Sequence, residues 1–143
     1  MDYETAARIV SFINKYIKGL YVVGSIRRRE DINNDIDFIT TKNLDVILDN
    51  FRKIFDDIDI KVEGDKYVDF KVGDIEINIW KANNKIEYNH MKILRTLDKG
   101  HTIGLRRMAK EKGMRLSEKG LYNFRTKNYT TFKTLGELKR MLK

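Results

Sequence analysis

The residues best placed to do chemistry form one stretch. It runs Val22-Val23-Gly24-Ser25-Ile26-Arg27-Arg28-Arg29 and then, across a polar loop, Asp35-Ile36-Asp37. Gly24-Ser25 after an apolar run makes a tight turn whose backbone N–H groups can face a phosphate. The Ser25 hydroxyl and the arginines, Arg28 among them, add donors and positive charge. Asp35 and Asp37 sit two apart in a strand-like segment, so both carboxylates leave the same face. Such a pair repels itself unless a cation lies between. Hard divalent ions such as Mg²⁺ take oxygen ligands from carboxylates and substrate phosphates together. Two such ions about 3.5–4 Å apart can hold the attacking oxygen and the leaving group of a phosphoryl displacement.

A third carboxylate would complete that set. The segment Asp74-Ile75-Glu76-Ile77-Asn78-Ile79 alternates strictly, with isoleucines to the core and Asp74, Glu76 and Asn78 on the other side. Glu76 is mid-strand, where a neighbouring strand could set it beside Asp35 and Asp37. Asp74 falls in the preceding turn and is the weaker choice. Each feature alone is commonplace. Asp-x-Asp is usually a solvated pair, Gly-Ser a turn, the arginine run a wet basic patch, and Glu76 the polar side of a half-buried strand. Their order and spacing carry the functional reading.

The elements that must position these residues are legible from periodicity. Residues 4–18 have helical spacing (Ile9, Phe12, Ile13, Tyr16, Ile17) and stop at Gly19. Short strands are expected at 20–23 and 36–40, then a helix at 44–55. Three strands at 58–62, 67–72 and 75–80 are joined by Gly64-Asp65 and Gly73-Asp74, both hairpin signals. From residue 88 the pattern turns helical. Met91, Leu94 and Leu97 make one stripe, and Ile103, Leu105, Met108 and Ala109 make the apolar side of a helix closed by Gly113. A small strand-and-loop section spans 114–132, before a last helix near 135–142.

Composition narrows the classes. The chain has 143 residues, with 41% hydrophobic and 35% charged, a folded rather than disordered balance. It has no cysteine, which excludes disulfides, Cys-ligated zinc and thiol catalysis, and its two histidines argue against a His-rich metal site. No apolar run approaches the ~18–20 residues that span a bilayer, so no membrane partner is expected. No signal-peptide pattern is present, and an intracellular location is expected, cytoplasm and nucleus being indistinguishable. Charge is uneven: residues 1–85 carry 14 Lys/Arg and 16 Asp/Glu, whereas residues 86–143 carry 15 and 5, a net of +10. An acidic part can hold cations and a basic part can grip a polyanion, usually nucleic acid.

The ensemble of Gly24-Ser25-x-Arg27-Arg28, Asp35-x-Asp37 and a later acidic strand resembles the nucleotidyltransferase fold of the polymerase beta superfamily. The segment Leu105-Arg106-Arg107-Met108-Ala109-Lys110-Glu111-Lys112-Gly113, running on into Met114-Arg115-Leu116-Ser117-Glu118, resembles the thumb of family X DNA polymerases. The nearest architecture is the reduced palm-plus-thumb form of some large DNA viruses. The resemblance implies an α+β chain. Its palm (1–85) would be a mixed sheet with helices on one side, and its thumb (86–143) basic and mainly helical. It implies that Asp35, Asp37 and Glu76 are catalytic and bind two Mg²⁺ ions, with Mn²⁺ as a substitute. Gly24, Ser25 and Arg28 would contact the nucleotide triphosphate. Arg106, Arg107, Lys110 and Lys112 would meet DNA, with Arg106 near the nascent base pair.

The implied activity is template-directed addition of nucleotides to a DNA 3′-hydroxyl, as in short-gap repair. The partners would be primer-template or gapped DNA and nucleoside triphosphates, and the protein a monomer. The alternatives are a template-independent terminal transferase and a nucleotidyltransferase acting on a protein or small molecule, of the antitoxin type. Two departures from the family stand out. Glu76 replaces the usual aspartate. Leu94-Arg95-Thr96-Leu97-Asp98 also replaces an aromatic pair and Gly-Ser bend that exclude ribonucleotides.

Overall fold

The computed structural model describes residues 1–143, which divide into two compact units, Met1–Asn83 and Asn84–Lys143. This boundary falls two residues before the one expected from charge.

The first unit is built on five strands: β1 (Tyr21–Val23), β2 (Asp35–Thr40), β3 (Ile58–Glu63), β4 (Tyr67–Val72) and β5 (Ile75–Lys81). Their order in the sheet is β1-β2-β5-β4-β3. Only the β2–β5 pair is parallel; the others are antiparallel, so the sheet is mixed. Helices α1 (Tyr3–Tyr16) and α2 (Leu44–Ile54) are started by Asp2 and Asn43, whose side chains accept the first free backbone N–H groups. Their buried faces, Ala6, Val10 and Ile13 and then Leu44, Ile47, Leu48 and Phe51, share one core with the sheet residues Val22, Ile36, Phe38, Val68, Phe70, Ile77 and Ile79. Those sheet residues all lie on one face. By the two-residue period of strands, the opposite face carries Asp35, Asp37, Tyr67, Asp69, Glu76, Asn78 and Trp80.

The second unit holds α3 (Lys85–Leu94), α4 (Lys99–Glu111), a three-stranded antiparallel sheet β6 (Met114–Ser117), β7 (Gly120–Asn123) and β8 (Asn128–Thr130), and α5 (Leu135–Met141). The strand-and-loop section is thus a true sheet. Leu94, Leu105, Ala109, Leu116, Leu121, Phe132, Leu138 and Leu142 form its core. His90 is buried there. Its Nδ1 lies 2.7 Å from the Glu118 carbonyl and its Nε2 accepts the Phe132 N–H at 3.3 Å.

The expected apolar side of α4 needs correction. Leu105 and Ala109 are buried, one turn apart, but Ile103 and Met108 are exposed. They are rotated off the narrow stripe that the core covers. No helix is long and apolar enough to cross a membrane.

Candidate active site

Two turns of sequence logic bring the acidic residues together. The β4–β5 hairpin closes at Gly73-Asp74, which sets Asp69 opposite Asn78 and Lys71 opposite Glu76. The parallel pairing of β5 with β2 sets Glu76 opposite Asp35 and Asn78 opposite Asp37. Asp35, Asp37, Glu76 and Asp69 therefore occupy three adjacent strands and one face. All four are half-buried, whereas Asp74 is exposed in its turn.

At the centre is Asn78, only 5% exposed. Its Nδ2 donates to Asp35 Oδ2 at 2.8 Å and to Asp37 Oδ1 at 3.1 Å. Its Oδ1 accepts from the Tyr67 hydroxyl at 2.9 Å. Ionised carboxylates can only accept, so this arrangement fixes which way the amide faces. The Tyr67 ring lies 5.1 Å from that of Trp80. As the groups stand, no three His, Cys, Asp or Glu side chains converge in metal-ligating geometry. The Asn78 amide lies between the aspartate pair, where a cation would compete with it.

The electrostatics are those of crowded anions. Loss of hydration pushes the Asp35 carboxyl above its ordinary range; the Asn78 hydrogen bond opposes this and the Asp69 charge adds to it. Glu76 is pushed up by loss of hydration first. The charge of Asp69, a hydrogen bond with it and the charge of Asp35 follow, with Lys71 opposing. Tyr67 is raised by loss of hydration and then by Asp69, Glu76, Asp37 and Asp35, which keeps its proton available for Asn78. Asp69 Oδ1 is buried and accepts no hydrogen bond. A buried acceptor without a donor, beside two carboxylates whose proton affinity its charge raises, fits a divalent cation.

Gly24 makes the turn that follows β1. Its φ is +73°, and a Cβ there would lie 2.5 Å from Asp37 Oδ2. The turn thus passes directly against an acidic side chain, at a left-handed backbone position that favours glycine. The Ser25 hydroxyl donates to Asn33 Oδ1 at 2.6 Å, so its proton is committed within the loop. Asn33, 1% exposed, ties the loop by donating from Nδ2 to the Glu30 carbonyl at 2.7 Å. Arg28 pairs with Glu30. Arg27 covers the Tyr21 ring at 4.3 Å and donates to the Val22 carbonyl at 3.0 Å.

In the second unit, Arg106, Arg107, Lys110 and Lys112 are all exposed. Arg106 and Lys110, one turn apart on α4, line a hollow with Met114, Arg115, Leu116 and Phe124. Arg107 lines a different one, with Gly104, Lys139 and Lys143. Lys112 caps the end of α4. The residues at the expected sugar-gate position are committed to structure. Arg95 caps α3 and pairs with Glu118, and Asp98 caps α4 by accepting the His101 N–H at 2.7 Å.

Asn78, Tyr67, Asp69 and Asn33 were not among the candidates singled out by sequence. For Asp69 the signal was present: a two-residue turn at Gly73-Asp74 fixes the hairpin register, and that register puts Asp69 next to Asn78. No protein-family model matches the chain, and no curated protein matches its sequence.

Proposed function

We propose that the chain is a metal-dependent nucleotidyltransferase of the polymerase beta superfamily, acting as a template-directed DNA polymerase in short-gap filling. One observation carries this reading. A left-handed Gly-Ser turn is packed against one member of an Asp-x-Asp pair, with Glu76 in register beside the other. A turn suited to phosphate and a set of ligands suited to a divalent cation thus lie side by side on the sheet.

Asp35, Asp37 and Glu76 would hold Mg²⁺, which when bound neutralises phosphoryl oxygens and lowers the pKa of the primer hydroxyl. The chain's own part follows from its charges. The primer 3′-oxygen forms a bond to the α-phosphorus, the bond to the pyrophosphate oxygen breaks, and the hydroxyl proton must leave. Glu76, whose proton affinity is raised, is the residue suited to accept it at a carboxylate oxygen. Gly24 and the backbone of the Ser25 turn orient the triphosphate, and Arg28 adds charge beside it. The basic second unit grips the DNA phosphates.

The test is primer extension on single-nucleotide-gapped DNA, and on the same primer without template, with Mg²⁺ or Mn²⁺. Templated incorporation supports the reading. Untemplated addition at equal rate assigns the chain to terminal transfer. No incorporation on either substrate refutes both.

A further inference from the structure

The small sheet of the second unit carries a feature that phosphoryl transfer does not need. Leu116 of β6 and Leu121 of β7 point into the core. The register pairs Arg115 with Tyr122, and Tyr122 with Tyr129, so these three make a row across the opposite face. Phe124, just past β7, extends that row: its ring lies 5.2 Å from that of Tyr122, which lies 4.9 Å from that of Tyr129. The Arg115 guanidinium stands 5.6 Å from the Tyr122 ring and 5.9 Å from that of Phe124. Phe124 is 57% exposed and Tyr129 is 42% exposed. Tyr122 between them is half-buried, and the two exposed outer rings gain little for the fold, whose core lies on the other side of the sheet.

The surroundings define what would cover them. Arg106, Lys110 and Arg115 border a 340 Å³ hollow together with Phe124. The β7–β8 turn, held by the Asn123 side chain accepting from the Arg125 and Thr126 N–H groups, leaves Arg125 and Lys127 exposed. On one flank Glu87 and Glu118 border a separate 230 Å³ hollow with Arg115 and Tyr129. Glu118 there is paired with Arg95. The row is therefore an aromatic surface bordered mainly by fixed positive charge.

We infer that this face is a stacking platform for the unpaired bases of a single-stranded nucleic acid, with Phe124 and Tyr129 taking base faces and Arg106, Lys110 and Arg115 taking phosphates. Every base has a π-face, so such a surface is sequence-tolerant. It selects single strands because duplex bases are already stacked on each other. The platform goes beyond the proposed polymerase reading and does not depend on the carboxylates of the first unit.

The test uses the full chain carrying Asp35→Asn, so that catalysis plays no part. Fluorescence anisotropy is measured with labelled oligo-dT of about 12 nucleotides and with a blunt duplex of equal length at one salt concentration. Phe124→Ala and Tyr129→Ala should each weaken oligo-dT binding by about 5- to 150-fold, with duplex affinity unchanged. Phe124→Leu keeps apolar bulk without a ring and should show the same loss. Phe124→Trp should retain affinity, and its added indole emission should be quenched by oligo-dT. Both outermost rings are exposed, so circular dichroism should be unaltered. Wild-type oligo-dT affinity in the Phe124→Ala and Tyr129→Ala variants, or an equal loss on duplex, would overturn the platform. Either result leaves the polymerase reading untouched, just as failure of gap filling leaves the platform untouched.

Discussion

Asn78 Nδ2 lies 2.8 Å from Asp35 Oδ2, and this bond holds the proton affinity of a crowded carboxyl down. Removing it with Asn78→Ala should raise Asp35 further, so that protons compete with a cation more strongly. Mn²⁺ affinity, measured by calorimetry without substrate, should fall more steeply on lowering the pH than in the wild type. Tyr67→Phe only frees the far side of the amide, which is worth about 0.5–1.5 kcal/mol. It should therefore shift affinity in the same direction by a smaller factor. Identical Mn²⁺ titrations at two pH values for wild type and Asn78→Ala would remove Asn78 from any positioning role.

Asp35 should also limit the stability of the first unit. Its folded pKa is raised above the ordinary carboxyl value of 3.8, so the fold prefers the protonated form. The sign is then fixed by linkage: the carboxyl costs nothing well below 3.8, and its cost grows as pH rises through the window between the unfolded and the raised folded value. At pH 7 without divalent cations, Asp35→Asn should melt above the wild type, although incorporation is lost almost completely. Near pH 3 the difference should vanish. A variant that melts lower at pH 7 contradicts the crowding described here.

Glu76 and Asp69 divide the remaining acidic roles. Glu76→Gln should abolish incorporation, and Glu76→Asp should leave a substantial fraction. Asp69→Asn removes a charge that raises both Glu76 and Asp35. It should keep turnover while moving the acidic limb of the pH–rate profile to lower pH. If Asp69→Asn is dead and Glu76→Gln active, Asp69 is the third ligand.

The sheet face that carries these residues was legible from alternation alone, because Asp35, Asp37, Glu76 and their apolar neighbours follow a strict period of two. The caps Asn43 and Asp98 stand before apolar periodicity and mark two helix starts, a signal that the spacing of apolar residues alone does not use. The role of Asn78 was not legible. An amide mid-strand reads as a polar surface residue until the β2–β5 pairing is known, and that pairing joins residues more than forty apart in sequence. Asn33 was hidden for a similar reason, since a loop asparagine reads as a turn former rather than a buried clamp. The exposed Ile103 and Met108 show the converse limit: helical spacing names the apolar residues, but the width of the core decides which are covered.

Gly24 offers a test that separates stability from geometry. An alanine there must adopt a left-handed backbone, costing roughly 1–2 kcal/mol, and its Cβ would meet Asp37 Oδ2 at 2.5 Å. The obstacle is the end of a side chain, so the Asp37 carboxylate can rotate away. Gly24→Ala should therefore fold with a modest loss in melting temperature. Activity should drop far more than that loss explains, because a carboxylate proposed to bind the metal has been displaced. Equal activity at permissive temperature would show that the position of Asp37 is immaterial.

Sugar discrimination is where the chain departs most from the family it resembles. Members of that family crowd the 2′ position with an aromatic ring, and here the segment compared with it is Leu94-Arg95-Thr96-Leu97-Asp98. Leu94 is buried in the core of its unit, Arg95 is paired with Glu118, and Asp98 is spent on capping α4. None of these three is left to reach a sugar hydroxyl, and none supplies a ring to exclude one. A site that merely crowds a group discriminates by ~1–3 kcal/mol, or about 10–200-fold. With the crowding ring gone, ribonucleotide incorporation should fall no further than that below deoxynucleotide incorporation. The measurement is kcat/KM for each dNTP and its ribonucleotide on one gapped substrate. A ratio above about 10⁴ exceeds what crowding supplies and would require a gate built from other residues. Tyr88, whose ring lies 4.7 Å from the Lys92 amine, and exposed His101 are the first to replace by alanine in that case.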